Sequence, residues 1–140
     1  MTSEFGIAVH ALVFLNHKKK TLSSEELSKN ICTNPARVRK VMAKLKKAGL
    51  IETKEGVDGG YLFRKDPFLV SLQTVSQALE MKFVGSAWKS GDTDMECLVA
   101  SGMADIMDGI YSELNELCTQ HLKKITIGDI DIKIFGNGNQ

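Results

Sequence analysis

Asn34-Pro35-Ala36-Arg37-Val38-Arg39-Lys40-Val41-Met42-Ala43-Lys44-Leu45-Lys46-Lys47-Ala48-Gly49 is the stretch on which the fold turns. Asn34 suits an N-cap and Pro35 a first helical position, where the missing amide hydrogen costs nothing. Gly49 supplies a left-handed stop. Between them Val38, Val41, Met42, Leu45 and Ala48 recur every three or four residues and make one apolar stripe. Ala36, Lys40, Ala43 and Lys47 point directly away from it, with Arg37 and Lys44 on one flank and Arg39 and Lys46 on the other. Six cations and no anion occupy Arg37 to Lys47. A solvated helix ordinarily interleaves acids for pairing across one turn, so cations alone at this density point to a phosphate-bearing partner.

Upstream, Ser23 and Glu26 form a capping box and Leu22 and Leu27 a hydrophobic staple, which start a short helix ending near Ile31. Cys32-Thr33 is the turn into the basic helix. Before it, Ser3 to His17 places Ala8, Ala11, Leu12 and Leu15 at helical spacing and adds Phe5, Ile7, Val9 and Val13, a pattern for a helix buried over most of its circumference. Downstream, Leu50 to Glu55 and Tyr61 to Arg64 are short β-prone runs around Gly56-Val57-Asp58-Gly59-Gly60, which predicts a hairpin. A short capped helix, a tight turn, a basic helix and a glycine-turned hairpin follow one another in the order of a winged helix-turn-helix.

Ser71 caps a fourth expected helix, Leu72 to Met81. The stretch from Gly85 to Ala100 has little periodicity and is expected to be a loop. From about Ser101 to Lys124 a heptad seam runs through Met103, Met107, Ile110, Leu114 and Leu117 to His121, widened by Ile106, Cys118 and Leu122. Thr126 to Phe135 alternates in part, and a strand, a short packed helix and an irregular tail all stay open. The expected fold is mainly α with a small β-hairpin wing: a winged helix-turn-helix over 1–84, a loop over 85–100, a dimerisation helix and tail over 101–135, and a mobile C-terminus over 136–140.

The formal charge of +1 hides a division along the chain. Residues 1–70 carry thirteen Lys and Arg against seven Asp and Glu, or +6, and residues 71–140 carry five against ten, or −5. Such asymmetry is a hint of nucleic-acid contact. No apolar run approaches the roughly 18 residues of a bilayer span, and the N-terminus lacks a signal-peptide pattern, so a cytoplasmic, unprocessed chain with no membrane partner is expected. On the basic helix, Arg37, Arg39 and Lys40 lie early, within reach of base edges, Lys44, Lys46 and Lys47 lie later and suit phosphates, and Asn34 and Ala36 are expected to take part in DNA binding.

The runs Asn34 to Lys40 and Leu45 to Ile51, followed by Gly56 and Gly59-Gly60-Tyr61-Leu62, resemble the Rrf-two family of bacterial transcriptional regulators. The resemblance extends from the first helix to about Lys124. It implies a homodimer joined by the long C-terminal helix, with two winged helices reading a palindromic operator in double-stranded DNA. Two departures matter. Cluster-binding members carry three cysteines in the loop before the dimerisation helix, whereas 85–104 offers only Cys97, so no iron–sulfur cofactor is expected. The family often has an arginine before the first turn glycine of the wing. Glu55 stands there, leaving Thr53 and Lys54 as the wing contacts.

Asp92, Asp94 and Glu96 fit solvated loop acids, and no metal site is expected. Cys118 fits a packed thiol within the seam. Cys32, beside the basic helix, has the more electropositive surroundings, while the acids around Cys97 are expected to raise its pKa. Cys32 and Cys97 are thus candidates for a redox pair, Cys32 oxidised first. His10, His17 and His121 lie far apart, and no nucleophile elbow, phosphate loop or zinc-protease motif occurs, so no enzyme is expected. The reading is a DNA-binding regulator, a dimeric repressor answering to thiol oxidation or a small ligand. The rival is a winged-helix interaction module acting through a metabolic enzyme partner.

Overall fold

The computed structural model describes residues 3–136. Six α-helices and one hairpin follow in chain order: α1 Glu4–Lys18, α2 Ser24–Ile31, α3 Pro35–Lys47, β1 Glu52–Lys54, β2 Gly60–Leu62, α4 Leu72–Ala78, α5 Leu98–Leu122 and α6 Ile127–Phe135, with one 3-10 turn at Pro67–Leu69. This is the winged helix-turn-helix with a long C-terminal helix that the sequence predicts.

Helix α1 is the central post. Ile7, Ala8, Ala11, Leu12, Val13 and Leu15 are buried on it, and α2, α3, α4 and α6 all pack against it. The small side chains of Ala8 and Ala11 admit neighbours closely, and Leu12 and Leu15 fill the space between with no exposed surface. Truncating such a residue, Leu12→Ala for instance, costs about 2–5 kcal/mol. The staple holds: Leu22 and Leu27 are both buried beside the Ser23–Glu26 capping box.

The wing is tied to the body by a contact that periodicity does not announce. β1 and β2 pair antiparallel with Thr53 opposite Tyr61, and Tyr61 also exchanges backbone hydrogen bonds with Leu22, at 2.8 and 2.9 Å. Gly60 makes this approach possible. Its φ is +148°, and a Cβ there would stand 2.2 Å from the Leu22 carbonyl oxygen.

Two expectations need correction, and a third point left open is decided. The fourth helix stops at Ala78, and Glu80 adopts a left-handed φ of 52° instead of continuing to Met81. The loop ends earlier than expected, because α5 begins at Leu98 with Cys97 as its N-cap residue. The alternation over 126–135 is helical: Thr126 and Asp129 form a capping box that launches α6, whose Ile127 and Gly128 are buried against α1 and Phe68. Gly136 has φ 72°, and the remainder of the tail expected to be mobile, 137–140, lies outside the described residues.

No residue of α5 is buried. Ala104, Tyr111, Asn115 and Leu122 fall on its inner side by helical spacing. There Asn115 Oδ1 accepts from the amides of Phe83 and Val84, both at 2.8 Å, and its Nδ2 donates to the Val84 carbonyl at 2.6 Å. Val99, Met103, Ile106, Ile110, Leu114 and Leu117 fall on the outer side, and Ile106, Ile110, Leu114 and Leu117 are exposed. Met107 of the expected seam is half-buried. It lines a small cleft with Trp88, Ala104 and Tyr111 of its own chain, while Ile106, which widens the expected seam, is exposed.

Candidate nucleic-acid interface

Helix α3 is fixed at both ends. Asn34 Oδ1 accepts from the Arg37 amide at 2.9 Å, and Pro35 occupies the first turn. At the other end Gly49 (φ +79°) donates to the Lys46 carbonyl at 2.9 Å and Leu50 to the Leu45 carbonyl at 3.0 Å, a Schellman closure with the buried pair Leu45 and Leu50 beneath it. Cys32, with φ 64°, turns α2 into α3, and its amide donates to the Ser28 carbonyl at 2.8 Å. Val38, Val41, Met42 and Leu45 are buried as the stripe requires, whereas Ala48, placed last in that stripe, is the C-cap residue and stands exposed.

What remains is the outer face. Ala36, Arg37, Arg39, Lys40, Ala43, Lys46 and Lys47 are exposed. The flanks differ, however, from a bare row of cations. Lys44 is half-buried and donates to Glu4 Oε1 at 2.8 Å, and Lys40 lies 3.4 Å from Glu4 Oε2. Arg37 donates to the Ser3 hydroxyl, so the first turn of α1 lies along this flank. On the opposite flank Arg39 donates to Ser24 Oγ at 3.3 Å. The Lys44 hydrogen bond, joined by the pull of Lys40, holds the Glu4 carboxyl below its ordinary pKa.

The wing lies beside Arg39. Burial pushes the Tyr61 phenol up, while the Arg39 guanidinium pulls it the other way. Thr53 and Lys54 are exposed on β1, Glu52 pairs with Arg64 at 3.1 Å, and Glu55, Val57 and Asp58 stand exposed around the wing turn. Glu4, Ser3, Ser24 and Tyr61 are not among the candidate contact residues read from the sequence. Nothing in local spacing links positions 4 and 44, because the contact is made by the crossing of α1 and α3.

The three thiols are free, Cys32 and Cys97 exposed and Cys118 half-buried. Cys32 Sγ faces the Lys29 carbonyl at 3.7 Å. Cys97 overturns its expectation. At the head of α5 the backbone amides of Ala100 and Val99 hold the thiol below its ordinary pKa, in place of the rise expected from neighbouring acids. The reason is the earlier start of α5, which puts a helix N-terminus where the sequence suggested open loop.

The family model that matches residues 1–131 is Rrf2, described as an iron-dependent transcriptional regulator. A candidate HTH-type transcriptional regulator of Bacillus subtilis, YwnA, is 29% identical over 130 residues, covering 89% of this chain and 96% of its own. Among solved structures, a candidate transcriptional regulator from Lactobacillus plantarum superposes with a TM-score of 0.83 at 18% identity, over 96% of this chain and 91% of that one. CymR, the global cysteine regulator of B. subtilis, does so with a TM-score of 0.66 at 15% identity, over 94% and 95%.

Iron does not fit the residues present. Cys97 is the sole cysteine of the 85–104 stretch, and among the described residues no group of three His, Cys, Asp or Glu is close enough to hold a metal ion. Nor, among them, is any helix long and apolar enough to cross a membrane. The relatives are regulators rather than enzymes. With a family match over nearly its whole length and the fold that goes with it, the chain belongs to the Rrf2 family of winged-helix transcriptional regulators.

Proposed function

We propose that the protein binds double-stranded DNA as a homodimer and represses transcription from a palindromic operator. The observation that carries this reading is the outer face of α3, where Arg37, Arg39, Lys40, Lys46 and Lys47 are exposed and no carboxylate shares the helix. Asn34, Ala36, Arg37, Arg39 and Lys40 take the base-edge side of a major groove, Lys46 and Lys47 the phosphates, and Thr53 and Lys54 the flanking backbone. Lys44 reaches phosphate only by leaving Glu4. Two copies join through the outer stripe of α5, which places two α3 helices one helical turn of DNA apart or a multiple of it. Fluorescence anisotropy on the protein's own upstream DNA tests this. The triple change of Arg37, Arg39 and Lys40 to alanine abolishes operator binding, and retention of binding would reject the assignment.

For the signal, the amides at the head of α5 that lower the Cys97 thiol pKa favour Cys97 as the first thiol to be oxidised. The Cys97 thiolate attacks a peroxide, becoming a sulfenic acid while the peroxide leaves as an alcohol or water. The thiol of Cys32 of the partner subunit then attacks that sulfur and water is released, leaving an intersubunit disulfide. Such a bond requires α-carbons within about 7 Å and fixes the spacing of the two α3 helices. On non-reducing gels a dimer band after mild oxidation is lost in Cys32→Ser and in Cys97→Ser and kept in Cys118→Ser. Operator affinity unchanged by oxidation would refute the switch.

A further inference from the structure

Between the inner side of α5 and the 82–89 stretch lies a cavity of about 610 Å3 that neither the DNA-binding face nor the outer stripe of α5 uses. Its size falls within the roughly 300–1,000 Å3 of small-molecule sites. Asn115 makes it a pre-formed one. By accepting from the Phe83 and Val84 amides and donating to the Val84 carbonyl, it fastens the turn at the cavity's edge to the helix.

Charge sets this cavity apart from its surroundings. Residues 71–140 carry five Lys and Arg against ten Asp and Glu, yet two of the five, Lys82 and Lys89, line this one cavity. A single carboxylate, Asp108, lines it with them. Asp108 accepts from Lys89 at 2.6 Å, but with the two side chains 50% and 59% exposed the pair is held loosely and Lys89 is open to a second anion. Lys82 has no carboxylate within ion-pair distance among the described residues. Ser86, Tyr111 and Ser112 add hydroxyl groups to the lining, and Phe83 and Val84 add apolar surface.

We propose that this cavity binds a small organic anion, its acidic head between Lys82 and Lys89 and its apolar body on Phe83, Val84 and Tyr111. Two cations against one carboxylate disfavour a cationic ligand, and a neutral one leaves Lys82 without a counter-charge. The site also has a line of contact to α3. The Phe83 ring meets Phe5 edge to face at 5.5 Å, and Glu4, next to Phe5 in the chain, holds Lys44 at 2.8 Å. An anion seated against Phe83 therefore acts through Phe5 on the residue that anchors α3, and its binding weakens operator affinity. The effect on DNA rests on the DNA-binding reading above, whereas the site stands without it.

Trp88, the single tryptophan, lines an adjoining cleft with Lys89, Asp108 and Tyr111, so its fluorescence reports occupancy. Full-length protein is titrated with benzoate, phenyl phosphate and benzamide at constant ionic strength. Benzoate or phenyl phosphate changes the Trp88 emission saturably, the tighter of the two naming the head group, and benzamide does not. Lys82→Ala and Lys89→Ala each weaken that binding several-fold, and Lys82→Arg retains it. No saturable change with either anion overturns the proposal, as does an equal response to benzamide or an affinity that neither alanine variant moves. Anisotropy on operator DNA then reads the coupling: the saturating anion lowers operator affinity several-fold in wild type and not in Phe5→Leu, which loses the ring contact while its Trp88 titration stays as in wild type. Operator affinity that the bound anion leaves unchanged overturns the coupling alone, and a protein that binds no DNA removes the DNA-binding reading while the anion site remains.

Discussion

Lys44 donates its hydrogen bond to Glu4 across forty positions of sequence, at 2.8 Å, and so anchors α3 to the first turn of α1. The same carboxylate attracts Lys40. Glu4 thus neutralises part of the charge that the sequence assigns to DNA. Replacing it by glutamine releases both lysines toward phosphate, and operator affinity rises while the slope of log K against log salt steepens by about 1 to 2. A titration of binding against salt in the Glu4→Gln protein checks this.

The same contact sets an acid dependence. Because Lys44, and after it Lys40, depress the folded-state pKa of Glu4, its stabilisation is present above the unfolded carboxyl value of about 4.3 and is lost as pH falls through the lower folded value. Urea midpoints measured from neutral pH downward fall further for wild type than for Glu4→Gln over that window. Parallel curves would show that the pair contributes nothing measurable.

Arg39 and Lys47 separate two kinds of contact. Arg39→Ala is expected to weaken operator binding by about 1–3 kcal/mol and to relax preference at one base pair in each half-site. Lys47→Ala should weaken all sequences alike and reduce the salt slope by about 1. Selection of bound sequences from a random pool, repeated with each variant, distinguishes them.

A charge in the α5 stripe tests assembly. Ile110→Asp or Leu114→Asp should give monomers or insoluble protein, whereas wild type sediments as a dimer at micromolar concentration. Thermal melts of the soluble monomer keep the winged helix cooperative, because no α5 residue is buried in the chain's own core.

Cys97 is expected to react first among the thiols. With its pKa held down by the amides of Ala100 and Val99, alkylation by iodoacetamide reaches half its limiting rate at a pH below the ordinary thiol value of about 8.5. Mass-spectrometric counting of modified peptides against pH follows each site. A Cys97 profile centred at or above the ordinary value would return the leading role to Cys32.

Where contacts are local, residue pattern is enough to place them. The Asn34 cap, the Ser23–Glu26 box and the Gly49 stop each act within one helical turn, and all three stand as expected. The start of α5 was misplaced because Leu98 and Val99 lie outside the 101–124 seam and their helical state depends on Cys97 as the boundary. Over 126–135 periodicity left strand and helix open, because Ile130, Ile132 and Ile134 alternate as a strand would, and the Thr126 and Asp129 side chains decide for the helix by capping it. The Glu4 clamp and the Leu22–Tyr61 bridge join elements far apart in sequence, and no window along the chain contains both partners.

Gly60 has a consequence for how an operator is measured. By letting Tyr61 pair with Leu22, it welds the hairpin to the backbone that leads into α2, and any side chain there would collide with the Leu22 carbonyl. Gly60→Ala should therefore cost about 1–3 kcal/mol and loosen the wing, seen as faster amide exchange at Tyr61 and Leu22. With the weld intact, helix and hairpin behave as the fixed jaws of a caliper. On the proposed DNA-binding reading, the distance between the bases under α3 and the backbone under the wing is set by the protein, and an insertion of a single base pair inside one half-site is expected to throw one jaw off its target.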